Sequence, residues 1–224
     1  MGYTHYWSRP AEIPEQCFQV IRRDLERLIL PLNDAGVALA DWDGTGLPQI
    51  TDDLIRFNGV SDCGHPRNED LVIPYPADEA HGIGSSGTAI VGDYYGMGVL
   101  LQHRACNGRC SCETFALERI KTLAERHSPD EDGLYVEFVK TAFRPYDIAV
   151  TAALLVAKRH LLDQFVVESN GAHAQWLDAR NLCQRVLGYG DWFGIVEEEI
   201  LETIPGGREP RRVRLRILTG GLEP

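Results

Sequence analysis

The hydrophobic pattern changes period several times along the chain, and each change predicts an element. Residues 3–9, YTHYWSR, alternate as a strand, with Tyr3, His5, Trp7 and Arg9 on one face and Thr4, Tyr6 and Ser8 on the other. Pro14 then stands where a helix begins. Cys17, Phe18, Ile21, Leu25, Leu28 and Leu32 recur at helical spacing up to a stop at Gly36. VALADWDGTGLP reads as a short strand followed by a Gly-rich turn, and DLIRFNGV as a second strand. Ile55 and Phe57 face one way there, and Leu54, Arg56 and Asn58 the other.

Residues 61–111 show no long periodicity and read as an inserted, loop-rich segment running into a strand at CETFALE. LYVEFVK is the next strand, followed by a helix from Pro145 to about Leu162. Its residues Ile148 to Ala157 are apolar around most of the axis, the mark of a buried helix. QFVVES is a further strand, and residues 172–187 form an amphipathic helix with Trp176, Ala179, Cys183, Val186 and Leu187 inward and Gly188 as its stop. Near the end, PGGREP separates FGIVEEEILETI from RRVRLRILT, whose alternation predicts a half-exposed strand, the return arm of a hairpin.

Strands clustered in the middle of this order predict an α+β fold. The expectation is one domain over residues 1–224, with a mainly antiparallel sheet packed with about three helices, one of them largely buried. A loop-rich insertion at about 61–111 and a C-terminal extension from about 196 complete it.

Charge narrows the function. The chain has 33 acidic against 22 basic residues, a formal net charge of -11. Broad binding to duplex nucleic acid needs a basic face and is not expected. A local basic pocket and an acidic surface that docks on a basic protein both stay open. No apolar run reaches the roughly 18 residues of a membrane span, and MGYTHYWSRP has no apolar signal core. These features predict a cytoplasmic protein, whose six cysteines are reduced thiols or metal ligands rather than disulfides.

Candidate chemistry gathers where the strand of residues 135–140 hands over to the apolar helix. Lys140 and Arg144 place two cations near a helix N-terminus, which itself attracts anions. Thr141 and Tyr146 add hydroxyls, and Asp147 falls at the third helical position, where a carboxylate caps free N–H groups. One reading is an anion or polar-ligand site; the other is a capped helix with Arg144 paired to Glu137 or Glu113. Glu113, between apolar neighbours on a strand, is either that partner or a general acid/base. His5 is a packed aromatic-face histidine or a catalytic group, and Asn58, before Gly59, a turn residue or a ligand-facing amide. Trp7 lies on the same strand face as His5.

DCGHP and HRACNGRCSC supply Cys63, His65, His103, Cys106, Cys110 and Cys112, from which four ligands could make a tetrahedral structural zinc site. The spacing Cys-x3-Cys-x-Cys departs from the paired CxxC of zinc ribbons, which counts against it and leaves loop or buried thiols as the other reading. GIGSSGTA fits GxGxxG, but no strand precedes it and no helix follows, so a loop is expected there rather than a dinucleotide site.

The pieces MGYTHYW, RFNG, CETF, KTAFRPYD and LCQRVLGYG, in that order, resemble an uncharacterised family of bacterial and bacteriophage proteins that begin with MGYTHYW. The resemblance spans about residues 1–192, leaving out part of 61–111. It implies a cytosolic protein of bacterial or phage origin and brings no activity with it.

Two functions follow as expectations. In the first, a small anionic ligand such as a nucleotide or phosphorylated metabolite is held by Lys140, Arg144, Thr141, Tyr146, Asn58 and Trp7. Glu113, Asp147 and His5 would then serve hydrolysis or transfer. In the second, the protein is a non-catalytic acidic interaction module, such as a phage-borne inhibitor of a host protein.

Overall fold

The computed structural model describes residues 3–65, 67, 70–72, 103–106, 108–122, 128–171, 173–189, 193–201 and 211–219. Strand β1 (Thr4–Arg9) leads to helix α1 (Glu15–Asp34) and then to three short strands, β2 (Leu39–Ala40), β3 (Gln49–Ile50) and β4 (Leu54–Gly59). Strands β5 (Asp70–Val72) and β6 (His103–Ala105) follow, then β7 (Phe115–Glu118) and β8 (Tyr135–Lys140). Helix α2 (Asp147–Leu161), strand β9 (Val166–Ser169), helix α3 (Leu177–Leu187) and strands β10 (Phe193–Leu201) and β11 (Arg211–Thr219) complete the order. All described strand pairs are antiparallel, and the fold is α+β, as the order of elements predicts.

The main sheet runs β10-β11-β9-β1-β8. β4 sits at the centre of a second sheet, paired with β2, β3 and β7, and β5 pairs with β6. β1 lies between β9 and β8, so its His5–Trp7–Arg9 face is buried. Trp7 packs on Phe115 at 5.3 Å and Phe115 on Phe57 at 4.9 Å, which joins the two sheets through one aromatic row.

Helix α2 is covered on all sides, since every residue from Asp147 to Lys158 is buried. Each Leu, Val or Ile so placed contributes about 1.5–3 kcal/mol of burial. α1 turns Phe18, Ile21, Leu25, Leu28 and Leu32 inward, as its sequence spacing predicts. α1, α2 and α3 also share one polar knot. Asp24 of α1 bonds His160 Nε2 at 2.8 Å and accepts from the Tyr189 hydroxyl at 2.6 Å. His160 thus ties α2 to α1. Gly188 ends α3 in the left-handed conformation with φ 80°.

Several boundaries differ from expectation. α2 begins at Asp147, because Pro145 and Tyr146 close a turn ahead of it. α3 begins at Leu177, after a 3-10 turn at His173–Trp176. Glu113 and Thr114 precede β7, and Glu113 is exposed, so no strand buries it. Asn58 lies inside β4 and makes no Asn-Gly turn. The tail is part of the main sheet: β10 and β11 pair from Phe193↔Thr219 to Leu201↔Arg211, and β11 docks on β9 through Leu215↔Ser169. The GIGSSGTA segment lies outside the described residues. No helix among the described residues is long and apolar enough to cross a membrane.

Leu154 is 0% exposed on α2 and Leu30 is 68% exposed on α1. Leu154→Ala should cost about 3–4 kcal/mol in urea unfolding through the cavity it leaves. Leu30→Ala should stay within about 0.5 kcal/mol of the parent.

Candidate functional site

The start of α2 does concentrate polar groups, and most of them turn inward. Two residues ahead of it, Ala142 and Phe143, adopt left-handed φ of 50° and 54°. The turn sets the Phe143 ring 4.9 Å from Tyr3 and under the Arg104 guanidinium at 4.2 Å. Asp147, fully buried, accepts from the Thr141 hydroxyl at 2.6 Å and bonds His5 Nε2 at 2.8 Å through the same oxygen, Oδ1. It therefore caps no backbone N–H, contrary to the expectation for that position. On the other side of the imidazole, the Ser169 hydroxyl lies 2.9 Å from His5 Nδ1, while Ser169 Oγ accepts the Gly171 N–H at 2.9 Å. An ionised Asp147 only accepts, so Nε2 carries the proton donated to it and Nδ1 is left to accept from the Ser169 hydroxyl.

This Ser169–His5–Asp147 relay has the residue types of a nucleophilic triad. All three side chains are 0% exposed, so a substrate atom cannot reach Ser169 Oγ in this arrangement. The relay continues into buried charge. Arg104 of β6 lies 3.8 Å from Asp147 and 3.1 Å from Asp178 of α3, and all three are buried. Sequence reasoning missed Ser169, Arg104 and Asp178. A single sequence gives no signal for them, since each becomes notable only when the strands and α3 dock.

The other expected site residues scatter. Lys140 is exposed, with its N–H held by Glu113 Oε2 at 2.8 Å. Arg144 is half-buried and donates to the Cys106 carbonyl. The Tyr146 hydroxyl donates to the Glu113 carbonyl at 2.5 Å, and burial pushes its pKa up. Asn58 is buried and fully engaged: its amide donates to the carbonyls of Cys112 and Trp42 and accepts from the N–H groups of Gly59 and Cys112. Trp7 donates from Nε1 to Glu137 at 2.8 Å. The structure thus brings His5, Thr141 and Asp147 together and does not join them to Lys140 in a pocket.

The cysteine-rich segments converge. Cys63, His65, Cys106 and Cys110 place their donor atoms within 4.8 Å of one another. Cys106 Sγ lies 3.3 Å from Cys63 Sγ, 3.3 Å from His65 Nδ1 and 3.4 Å from Cys110 Sγ. Cys112 stands outside the group, held by its backbone to Asn58, and the His103 side chain lies outside the described residues. The two loops that carry the four are zipped by Cys110 N–H donating to the Val60 carbonyl at 3.0 Å. Only glycine fits at Gly59, where a Cβ would meet the Cys110 carbonyl oxygen at 2.0 Å. Burial opposes ionisation of Cys63, but the His65 N–H and the neighbouring Cys106 and Cys110 thiols outweigh it and bring the thiol down to about 7. Burial pushes the Cys106 and Cys110 thiols up.

No family model, curated protein or solved structure matches this chain. Its surface therefore has to speak for itself.

An open groove of 310 Å³ runs between β7 and β8, lined by residues of both strands, among them Ala116, Glu118, Val136 and Phe138, and by Trp7 and Lys121. Both strands are sheet edges: β8 pairs with β1 and β7 with β4. Among the described residues one backbone bond joins the segment just ahead of β7 to β8, from Glu113 N–H to the Lys140 carbonyl at 3.1 Å. Lys140 thereby turns its backbone groups away from β1, and the two-residue alternation turns those of Phe138 and Val136 the same way. On the facing edge, Arg119 N–H bonds back to Asp53 at 2.8 Å, so the alternation aims the backbone of Ala116 at the groove.

Burial pushes the Asp178 carboxyl up to about 7, against the pull of Arg104. Its folded value exceeds the unfolded value of about 4. The folded protein then holds a proton that the unfolded chain releases, so this group favours folding below about pH 4 and loses that contribution as pH rises to about 7. Between about pH 5 and pH 8 the parent should lose on the order of 3 kcal/mol that Asp178→Asn retains, read from urea unfolding at both values.

Proposed function

We propose that the protein is a non-catalytic interaction module that takes an extended segment of a partner polypeptide between the edges of β7 and β8. The observation that carries this is the pair of facing strand edges whose outward backbone groups, at Ala116, Val136 and Phe138, have no backbone partner among the described residues. Such an edge is a template for an added strand, in which main-chain bonds give affinity and side-chain pockets give selectivity. Val136 and Phe138 are 56% and 63% exposed and offer the apolar contact such a segment needs. A net charge of -11, with Glu118 on the groove wall, favours a segment that alternates apolar and basic residues. In the bacterial or phage setting that the sequence resemblance implies, the partner is a host protein.

The small-anion reading has weaker geometric support. Lys140 is exposed, Arg144 donates to a backbone carbonyl, and Asp147 is enclosed by His5 and Thr141. As acid/base groups, Glu113 and His5 stand apart, one at the surface and one in the core.

Selection of displayed peptides against the purified protein tests the module. Enriched sequences should alternate apolar and basic residues and should slow amide exchange at Ala116, Val136 and Phe138. Val136→Pro removes a groove-facing N–H while leaving the ladder to β1 whole. It should weaken peptide binding by about tenfold or more, with a Tm close to the parent's. Thermal stabilisation by a nucleotide or sugar phosphate, lost in both Lys140→Ala and Arg144→Ala, would contradict the proposal and favour the small-anion site.

A further inference from the structure

We infer that Cys63, His65, Cys106 and Cys110 form a structural zinc site that clamps the two ends of the insertion together. A zinc ion with Zn–S of about 2.3 Å and Zn–N of about 2.0 Å sets neighbouring donors about 3.5–3.8 Å apart in a tetrahedron. Four of the six donor separations, 3.3, 3.3, 3.4 and 3.5 Å, come within about half an ångström of that, and all six lie within 4.8 Å. A disulfide needs sulfurs about 2.05 Å apart, so at 3.3 and 3.4 Å these thiols are unbridged in this structure. Two pairs of ligands come from two loops, Cys63-x-His65 after β4 and Cys106-x3-Cys110 after β6.

The loops are shaped for thiolate ligands. The backbone N–H groups of His65 and Gly108 act on the Cys63 and Cys106 sulfurs in the direction that favours the thiolate. Each donor lies two residues after its cysteine, and such N–H groups steady a metal-bound thiolate as outer-sphere partners. Gly108 reaches that position with φ 74°, in a turn closed by Arg109 N–H on the Cys106 carbonyl at 3.0 Å. Arg144 adds a further bond to that carbonyl from the start of α2.

Three thiolates and an imidazole match zinc in softness and geometry, and four protein ligands leave no coordination position for a substrate. The ion is therefore structural. Its clamp closes the chain between His65 and Cys106, which removes the loop-closure entropy that the three-residue pairing of β5 and β6 has little means to offset. It also fixes Cys106, two residues beyond the buried Arg104, and so holds that guanidinium between Asp147 and Asp178.

The test is metal content of the untagged full chain purified under reducing conditions without chelator. About one zinc per chain is expected in the parent and in Cys112→Ser, and loss of it in Cys106→Ser and in His65→Ala. Should those two variants fail to fold, the parent stripped by chelator and titrated with cobalt(II) gives a second readout. Bound cobalt should show the visible bands of a tetrahedral site and thiolate-to-metal charge transfer in the near ultraviolet, and zinc should displace it. Chelation should also lower the Tm, with recovery on adding zinc. A metal-free parent with no tetrahedral cobalt spectrum would overturn the inference. So would zinc retained equally by a folded Cys106→Ser, or a Cys63–Cys106 disulfide in the folded protein.

Discussion

The structure turns on one carboxylate taken out of water. Asp147 opens a helix with no polar face, so solvent cannot reach it, and a lone buried charge is too costly to keep. Its partners must come from other elements. Thr141 supplies a hydroxyl from the turn before α2, His5 a ring nitrogen from β1, and Arg104 a cation from β6. Two of them draw in another element: Ser169 of β9 supports His5, and Asp178 of α3 sits on Arg104. Four strands and helices are thereby placed against one helix end, and the charge that looked poised for a ligand is consumed in holding them.

Arg104 connects that core to the cysteine cluster. It stands on a strand of three residues, too short to fix a buried guanidinium by backbone pairing alone. The convergence of Cys63, His65, Cys106 and Cys110 just beyond it gives the strand an anchor, and Arg144 adds a second from the α2 side. On the far side of the main sheet's edge the situation is reversed. Among the described residues a single backbone bond, from Glu113 just ahead of β7, ties that edge to β8, and the two then separate, leaving donors and acceptors turned toward an open groove. The polar groups with internal partners and those facing outward lie at different places, and the proposed interaction face follows the latter.

Local physics made much of the fold legible. The apolar run at Ile148–Ala157, interrupted only by Thr151, calls for cover on all sides, and the α1 spacing of Phe18, Ile21, Leu25, Leu28 and Leu32 permits one inward face. The alternation of Ile55 and Phe57 likewise announced their burial. What the sequence left dark is tertiary. His5 and Asp147 are 142 residues apart, and nothing local pairs them. Glu113 was misplaced because β7 starts three residues later than the apolar pattern implied, and Asn58 because Asn-Gly chemistry gave way to a strand whose neighbours use both ends of the amide. The convergence of the cysteines was not legible for a geometric reason: ribbon spacing assumes two CxxC knuckles, whereas here Cys63-x-His65 and Cys106-x3-Cys110 are brought together across an insertion. The groove depends on strand order, which no single strand encodes.

The direct test is the unfolding free energy of Asp147→Asn, a change that keeps shape and removes the charge. If the carboxylate is the hub on which His5, Thr141 and Arg104 converge, the variant should lose about 3–5 kcal/mol, the cost of breaking a buried charged cluster. A variant within about 0.5 kcal/mol of the parent, the range of a surface change, would show that the core does not depend on that charge and would contradict the account.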